Sequence, residues 1–242
     1  MNSRTAGRGP CASSAQSANR IPVRRSATAK CLTILLLLAA APAATWALDL
    51  VVAVVDRDGK PVAEAVVTAA DSGSARGPRA PGSAVMDQQH LQFVPQVLVI
   101  ATGTKVEFPN NDAVSHQVYS FSPAKRFQLP LYKGATNPPI VFDKAGLVVL
   151  GCNIHDSMVG YIDVTDAPFF GKTDGNGSVV LTDMTPGNYQ LVIWGPRIAD
   201  PAASLTRNVS VGPNPEARIE FQLTAPLRAR PEPRPRRSDW DY

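Results

Sequence analysis

The sequence predicts an all-β fold, and three observations lead there. Its 242 residues include 22 Pro and 17 Gly, which punctuate the chain at short intervals. Between them lie apolar runs of strand length, some with clean alternation of apolar and polar residues. No stretch carries a helical 3.6-residue period. At 44% apolar the chain can bury real cores, and its length allows one large domain or two small ones.

Residues 1–47 read as a secretory signal. Lys30 precedes the apolar run 31–40 (CLTILLLLAA), small residues follow, and Thr45-Trp46-Ala47 offers a cleavage site ahead of Leu48. The run is too short to span a bilayer, so no stable membrane span is expected. An exported, periplasmic protein cleaved near Ala47 is expected instead. The formal net charge of +4 comes from this segment, which holds six basic residues and no acids. The remainder has 18 basic against 20 acidic groups. A mildly acidic body gives no support to nucleic-acid binding.

Residues 49–56 (DLVVAVVD) read as a strand, with a turn at Asp58-Gly59, and 61–70 as a second strand. Residues 71–83 form a Gly/Pro/Ser-rich linker. Strands are expected at 93–100 and at 105–108, where Val106 and Phe108 alternate with Lys105 and Glu107. Residues 109–115 are loop, 116–120 a short strand, and 121–139 a long connection containing LPLYKG. Strands resume at 140–142, 147–150 and 159–164. Beyond Asp166, residues 171–181 (GKTDGNGSVVL) read as a hairpin, and 188–194 and 216–223 as strands. The tail 225–242 is rich in Pro and Arg and reads as disordered.

The chemistry sits in Cys152-Asn153-Ile154-His155-Asp156-Ser157-Met158. Cys11 and Cys31 leave with the signal, so Cys152 has no internal disulfide partner in a compartment where disulfides form. A lone thiol there calls for a use, metal ligation or nucleophilic catalysis. A thiolate, an imidazole and a thioether three residues apart suit copper, which takes soft sulfur and borderline nitrogen together. A blue-copper site needs a second histidine, and His116 lies 36 residues before Cys152, far enough for an intervening hairpin. Structural zinc prefers Cys-rich tetrahedra. A dinuclear copper centre needs a second Cys in the loop, and a covalent haem needs Cys-x-x-Cys-His. A Cys–His nucleophile lacks an evident third group to orient it. His90 reads as a surface residue, Met86 and Met184 as core, and Asp112 and Asp156 as loop caps.

VEFPNNDAVSH followed by GCNIHDSMVGYIDV resembles the copper loops of the cupredoxins plastocyanin and amicyanin; amicyanin shares the Cys-x-x-His-x-x-Met spacing. MDQQHLQFVPQVLVIATGTKVEFPN, with SFSPAKRFQLPLYKG, is closer still to exported cupredoxin-like proteins labelled methylamine-utilisation proteins. The resemblance covers roughly residues 48–197. It implies a Greek-key sandwich over 84–166 and one type 1 copper ligated by His116, Cys152, His155 and, axially, Met158. It also implies electron transfer to redox partners such as a cytochrome or dehydrogenase, and no enzymatic activity. The alternatives are a copper carrier or delivery protein and a structural sandwich with a vestigial loop. Where cupredoxins commonly carry Asn after the first His ligand, this chain has Gln117, which puts the usual bond between the ligand loops in doubt. DLVVAVVDRDGKPVAEAVVTA and GKTDGNGSVVLTDMTPGNYQLVIW resemble the two ends of a transthyretin-like, carboxypeptidase-regulatory-like sandwich. Residues 48–75 are therefore expected to pair with 167–224 in one small sandwich, with the copper domain inserted.

Overall fold

The computed structural model describes residues 48–71, 77–134, 137–212 and 218–229. The signal segment 1–47 and the tail beyond Ala229 fall outside these residues, so those two readings are not addressed by it. Among the described residues no helix is long and apolar enough to cross a membrane.

Seventeen strands and one 3₁₀ turn, Ala202–Leu205, make up the regular structure of the described residues. In chain order the strands are β1 (Leu48–Val55), β2 (Val66–Asp71), β3 (Ser83–Val85), β4 (Asp87–Gln89), β5 (Gln92–Val94) and β6 (Val97–Ala101). Then come β7 (Thr104–Glu107), β8 (Tyr119–Ser122), β9 (Lys125–Gln128), β10 (Ile140–Phe142), β11 (Gly146–Gly151) and β12 (Val159–Thr165). The last are β13 (Phe169–Lys172), β14 (Ser178–Met184), β15 (Gly187–Trp194), β16 (Thr206–Val211) and β17 (Arg218–Gln222).

These strands build two separate hydrophobic cores. Sheets β14-β1-β17 and β13-β2-β15-β16 share the first, which gathers Leu50, Val52, Val67, Leu181, Met184, Tyr189, Leu191 and Phe221. β1 is central, antiparallel to β14 on one side and parallel to β17 on the other, and buries Leu50, Val52, Ala53 and Val54. Sheets β10-β7-β3 and β6-β12-β11-β8-β9 share the second core, which gathers Met86, Phe93, Phe108, Phe142, Leu150 and Ile162. There the side chains alternate strictly: along β12, Gly160, Ile162 and Val164 point inward while Tyr161, Asp163 and Thr165 point out. The chain lays down β1 and β2 in the first pair of sheets, β3 to β12 around the second core, and β13 to β17 back in the first. Lys172 crosses between the two parts, donating to Glu64 Oε1 and to the carbonyl of Val97, both at 2.8 Å. Tyr161 and Trp194 meet edge to face with ring centroids 5.9 Å apart.

Several expected elements differ. The expected strand 61–70 begins only at Val66, because a turn with Glu64 at φ 64° interrupts it. The expected strand 93–100 is broken at Pro95, which has no N–H for a ladder, into β5 and β6. The strand expected at 116–120 starts at Tyr119; His116 itself makes an isolated bridge to Tyr132. β9 lies inside the expected 121–139 connection, and β16 was not expected at all. The expected 171–181 hairpin is not one: β13 pairs with β2 and β14 with β1, so Asp174–Gly177 turns the chain from one sheet to the other.

Candidate metal centre

Two loops at one end of the second sandwich meet around Cys152. The first runs from Phe108 to His116 and is organised by the buried Asn110. Its side-chain amide donates to the carbonyls of Val114 (3.0 Å) and Tyr132 (2.8 Å), and its oxygen accepts from the N–H of Asp112 (3.0 Å). His116 and Tyr132 exchange two backbone hydrogen bonds of 3.0 Å each. The Tyr132 hydroxyl donates to the Phe108 carbonyl at 2.5 Å, and the buried amide of Gln88 donates to that hydroxyl and to the Pro109 carbonyl. The turn of this loop is thus held both from within, by Val114 and Asp112 on Asn110, and from outside, by Tyr132 and Gln88.

The second loop, residues 152–158, closes the β11–β12 hairpin just beyond the Gly151–Val159 pair. Inside it the N–H of Met158 donates to the carbonyl of His155 at 2.9 Å. Gly151 sets the position of Cys152. A Cβ there would lie 2.7 Å from Cζ and 2.8 Å from the hydroxyl of Tyr119, so only glycine lets the Tyr119 ring lie over this strand end.

His116, Cys152 and His155 come together. His116 Nδ1 and His155 Nδ1 are 3.1 Å apart, and each is 3.8 Å from Cys152 Sγ. His116 and Cys152 are buried, while His155 is partly open to solvent. A triangle with these sides has a centre about 2.1 Å from each corner, within the span of about 2.0–2.3 Å for first-row-metal bonds to imidazole nitrogen and thiolate sulfur. The donor set and its spacing fit a metal ion. Met158 is buried in the same hydrophobic cluster as Cys152, at the other end of the loop.

Asp112 does more than the loop capping expected of it. Its carboxylate accepts from the N–H of Leu91 and of Ala113, both at 2.7 Å, and from Nε2 of His116 at 2.9 Å. Burial pushes its pKa up, but the Leu91 N–H, His116 and the Ala113 N–H outweigh this and hold it below the usual carboxylate range. An ionised carboxylate only accepts, so Nε2 carries the hydrogen and Nδ1 turns its lone pair to the cluster. Asp156, by contrast, makes no side-chain hydrogen bond among the described residues. Among the described residues Gln117 and Asn153 make none either, in keeping with the doubt raised by Gln117; Asn110 and Tyr132 brace the loop instead. His90 is exposed and apart from the cluster, and Met86 and Met184 are core, as expected.

No family model and no curated protein matches the chain. Solved structures do. A purple cupredoxin from Nitrosopumilus maritimus is similar at 24% identity and a TM-score of 0.30, over 34% of this chain and 99% of its own. A reduced amicyanin variant is similar at 23% identity and a TM-score of 0.32, over 40% of this chain and 99% of its own. A copper-containing nitrite reductase from Thermus scotoductus SA-01 is similar at 27% identity and a TM-score of 0.33, over 47% of this chain and 28% of its own.

Proposed function

We propose that this chain is an exported, periplasmic protein that binds one type 1 copper and passes single electrons between redox partners, without enzymatic activity of its own. The observation that carries the reading is the triangle of His116 Nδ1, Cys152 Sγ and His155 Nδ1. One soft thiolate with two imidazoles suits copper better than the hard cations, which take oxygen ligands. Copper, when bound, supplies a one-electron couple.

The chain's own residues supply the rest. His116, Cys152 and His155 would hold the ion, with Met158 as the weak fourth ligand. The buried Cys152 and His116 keep water from the inner side, while His155 at the loop edge is the point nearest a partner. Asp112 fixes the His116 ring, and Asn110 and Tyr132 fix the loop, so the donors stay in place whether or not the electron is present. Ile154 and Leu131, 52% and 57% exposed, border this end and give a partner such as a cytochrome or dehydrogenase an apolar surface.

The remaining readings follow the same line. The cleaved signal ending near Ala47 and the methylamine-utilisation-like, cupredoxin assignment rest on the sequence. The division into a copper domain at 84–166, inserted in a transthyretin-like sandwich of 48–75 with 167–224, is supported by the pairing of β1 with β14 and β17 and of β2 with β13 and β15.

Voltammetry of the copper-loaded protein, run beside a chelator challenge, tests the electron-carrier role. A reversible one-electron wave with copper retained is expected. Rapid loss of copper to the chelator would mark a delivery protein, and failure to take up copper a structural sandwich.

A further inference from the structure

The β4–β5 hairpin ends in a costly turn. Its strands pair from Asp87 with Val94 to Gln89 with Gln92, so His90 and Leu91 alone make the turn. Both have positive φ, 53° and 60°, the pattern of a type I′ turn. That turn favours Asn-Gly, and a branched side chain such as leucine is strained there. In a two-residue turn the N–H of the second central residue has no partner in the ladder. Here the Leu91 N–H donates to Asp112 Oδ2 at 2.7 Å. The same oxygen accepts from His116 Nε2 at 2.9 Å, while Asp112 Oδ1 accepts from the Ala113 N–H at 2.7 Å.

We propose that this turn is the positioning element for His116: the Leu91 N–H fixes the Asp112 carboxylate, and the carboxylate fixes which His116 nitrogen carries the hydrogen. The inference rests on the reading of His116 as a metal ligand. Leu91 is not needed to hold the loop to the hairpin. The Asn111 N–H donates to the Gln88 carbonyl at 3.1 Å, Asn111 Nδ2 to Asp87 Oδ2 at 2.9 Å, and Gln88 Nε2 to the Pro109 carbonyl at 3.0 Å. These three bonds already fasten residues 109–111 to β4, and none of them involves a candidate ligand. The Leu91 bond differs because its acceptor is the oxygen that His116 uses. The strain therefore sits where it has a consequence, as strained backbone commonly does at functional sites.

The consequence is chemical. A neutral imidazole carries its hydrogen on one nitrogen, and only a bare Nδ1 can offer a lone pair to a metal. His116 Nδ1 is the atom that faces His155 Nδ1 and Cys152 Sγ. The His116 side chain is fully buried and that of Asp112 is 11% exposed, so little water is at hand to replace a lost partner. With the Leu91 N–H gone, the carboxylate is free to turn, and part of the His116 population takes the Nδ1–H form. Apparent metal affinity then falls with the fraction that remains competent.

Side-chain nitrogen NMR of the metal-free full chain tests this, with the amide of the His90–Leu91 bond replaced by an ester. The ester removes one N–H and keeps every side chain. In the parent, His116 is expected wholly in the Nε2–H form with slow solvent exchange. In the ester protein a mixture of the two forms is expected, with severalfold faster exchange. Insertion of one glycine between His90 and Leu91, which lengthens the turn, should do the same. His90→Asn with Leu91→Gly keeps the turn and its N–H, so it should leave the His116 signals alone and raise the melting temperature. On copper titration the ester protein should lose affinity in proportion to its Nε2–H fraction. An ester protein that is less stable yet keeps the parent His116 signals would overturn the proposal and leave the hairpin a structural element only. So would a parent that is not in the Nε2–H form, or a chain with His90→Asn and Leu91→Gly that mixes the two forms. A parent that takes up no copper would contradict the metal reading alone, because the His116 signals are read without it.

Discussion

Asp112 decides which nitrogen of His116 faces the cluster, and it does so through one 2.9 Å contact. Replacing it with alanine removes that acceptor and also leaves the Leu91 and Ala113 N–H groups without theirs. Asp112→Ala is therefore expected to lower metal affinity about 10–100-fold, the usual cost of losing a group that orients a ligand. Copper titration monitored by absorbance checks this; unchanged affinity would mean that loop packing alone orients His116. Sequence reading singled out Cys152, His155 and Met158 because they lie within seven residues of one another, where spacing is itself a signal, and the structure brings Cys152 and His155 together with His116. It did not reach the role of Asp112. Four residues before His116 in an irregular loop, an aspartate looks like any turn former, and only the folded loop brings it to Nε2.

At the scale of strands and loops, the close contact of Tyr119 with Gly151 ties β8 to the end of β11 that carries Cys152. Gly151→Ala would force the Tyr119 ring off the strand. The expected result is a loss of about 1–3 kcal/mol in stability, as for other overpacked sites, and a shifted thiolate environment. Chemical denaturation of the metal-free protein measures the first. Tyr119→Ala in the same chain should restore most of the loss, and failure to do so would place the strain elsewhere. The long, strongly patterned strands were readable from their apolar runs: β1, β11, β12 and β15 all appear within a few residues of their expected bounds. Short edge elements were not. β9 (KRFQ) and β16 (TRNVSV) carry charges and polar groups in place of an apolar run, since each lies at the edge of its sheet. β13 and β14 looked like a hairpin because a Gly-rich turn joins two apolar runs. Local sequence does not say that the two runs belong to opposite sheets.

For the whole molecule, the return of the chain after β12 is what brings the first sandwich together, and its far end is fastened by Asp200. That carboxylate accepts from the N–H and hydroxyl of Thr224, at 2.7 and 2.6 Å, and from the N–H of Ala225 at 3.2 Å. Burial pushes its pKa up, but the Thr224 hydroxyl and the Thr224 and Ala225 N–H groups together outweigh this and hold it below the ordinary value. A depressed folded-state pKa gives stability that is present above the unfolded carboxylate value of about 3.9 and is lost as pH falls through the lower folded value. Asp200→Asn is thus expected to lower the melting temperature at neutral pH and to approach the parent protein as pH falls through the depressed folded-state value. Thermal melts across that range check it, and a constant difference at all pH values would contradict the linkage.

The central claim is that His116, Cys152 and His155 hold one copper, and the most direct test is addition of copper(II) to the purified protein with visible and electron spin resonance spectra. The expected result is an intense thiolate-to-copper band that saturates at one equivalent, with spin resonance parameters of a thiolate-bound copper, and that disappears in Cys152→Ser. A protein that stays colourless, or a Cys152→Ser variant that keeps the band, would contradict it.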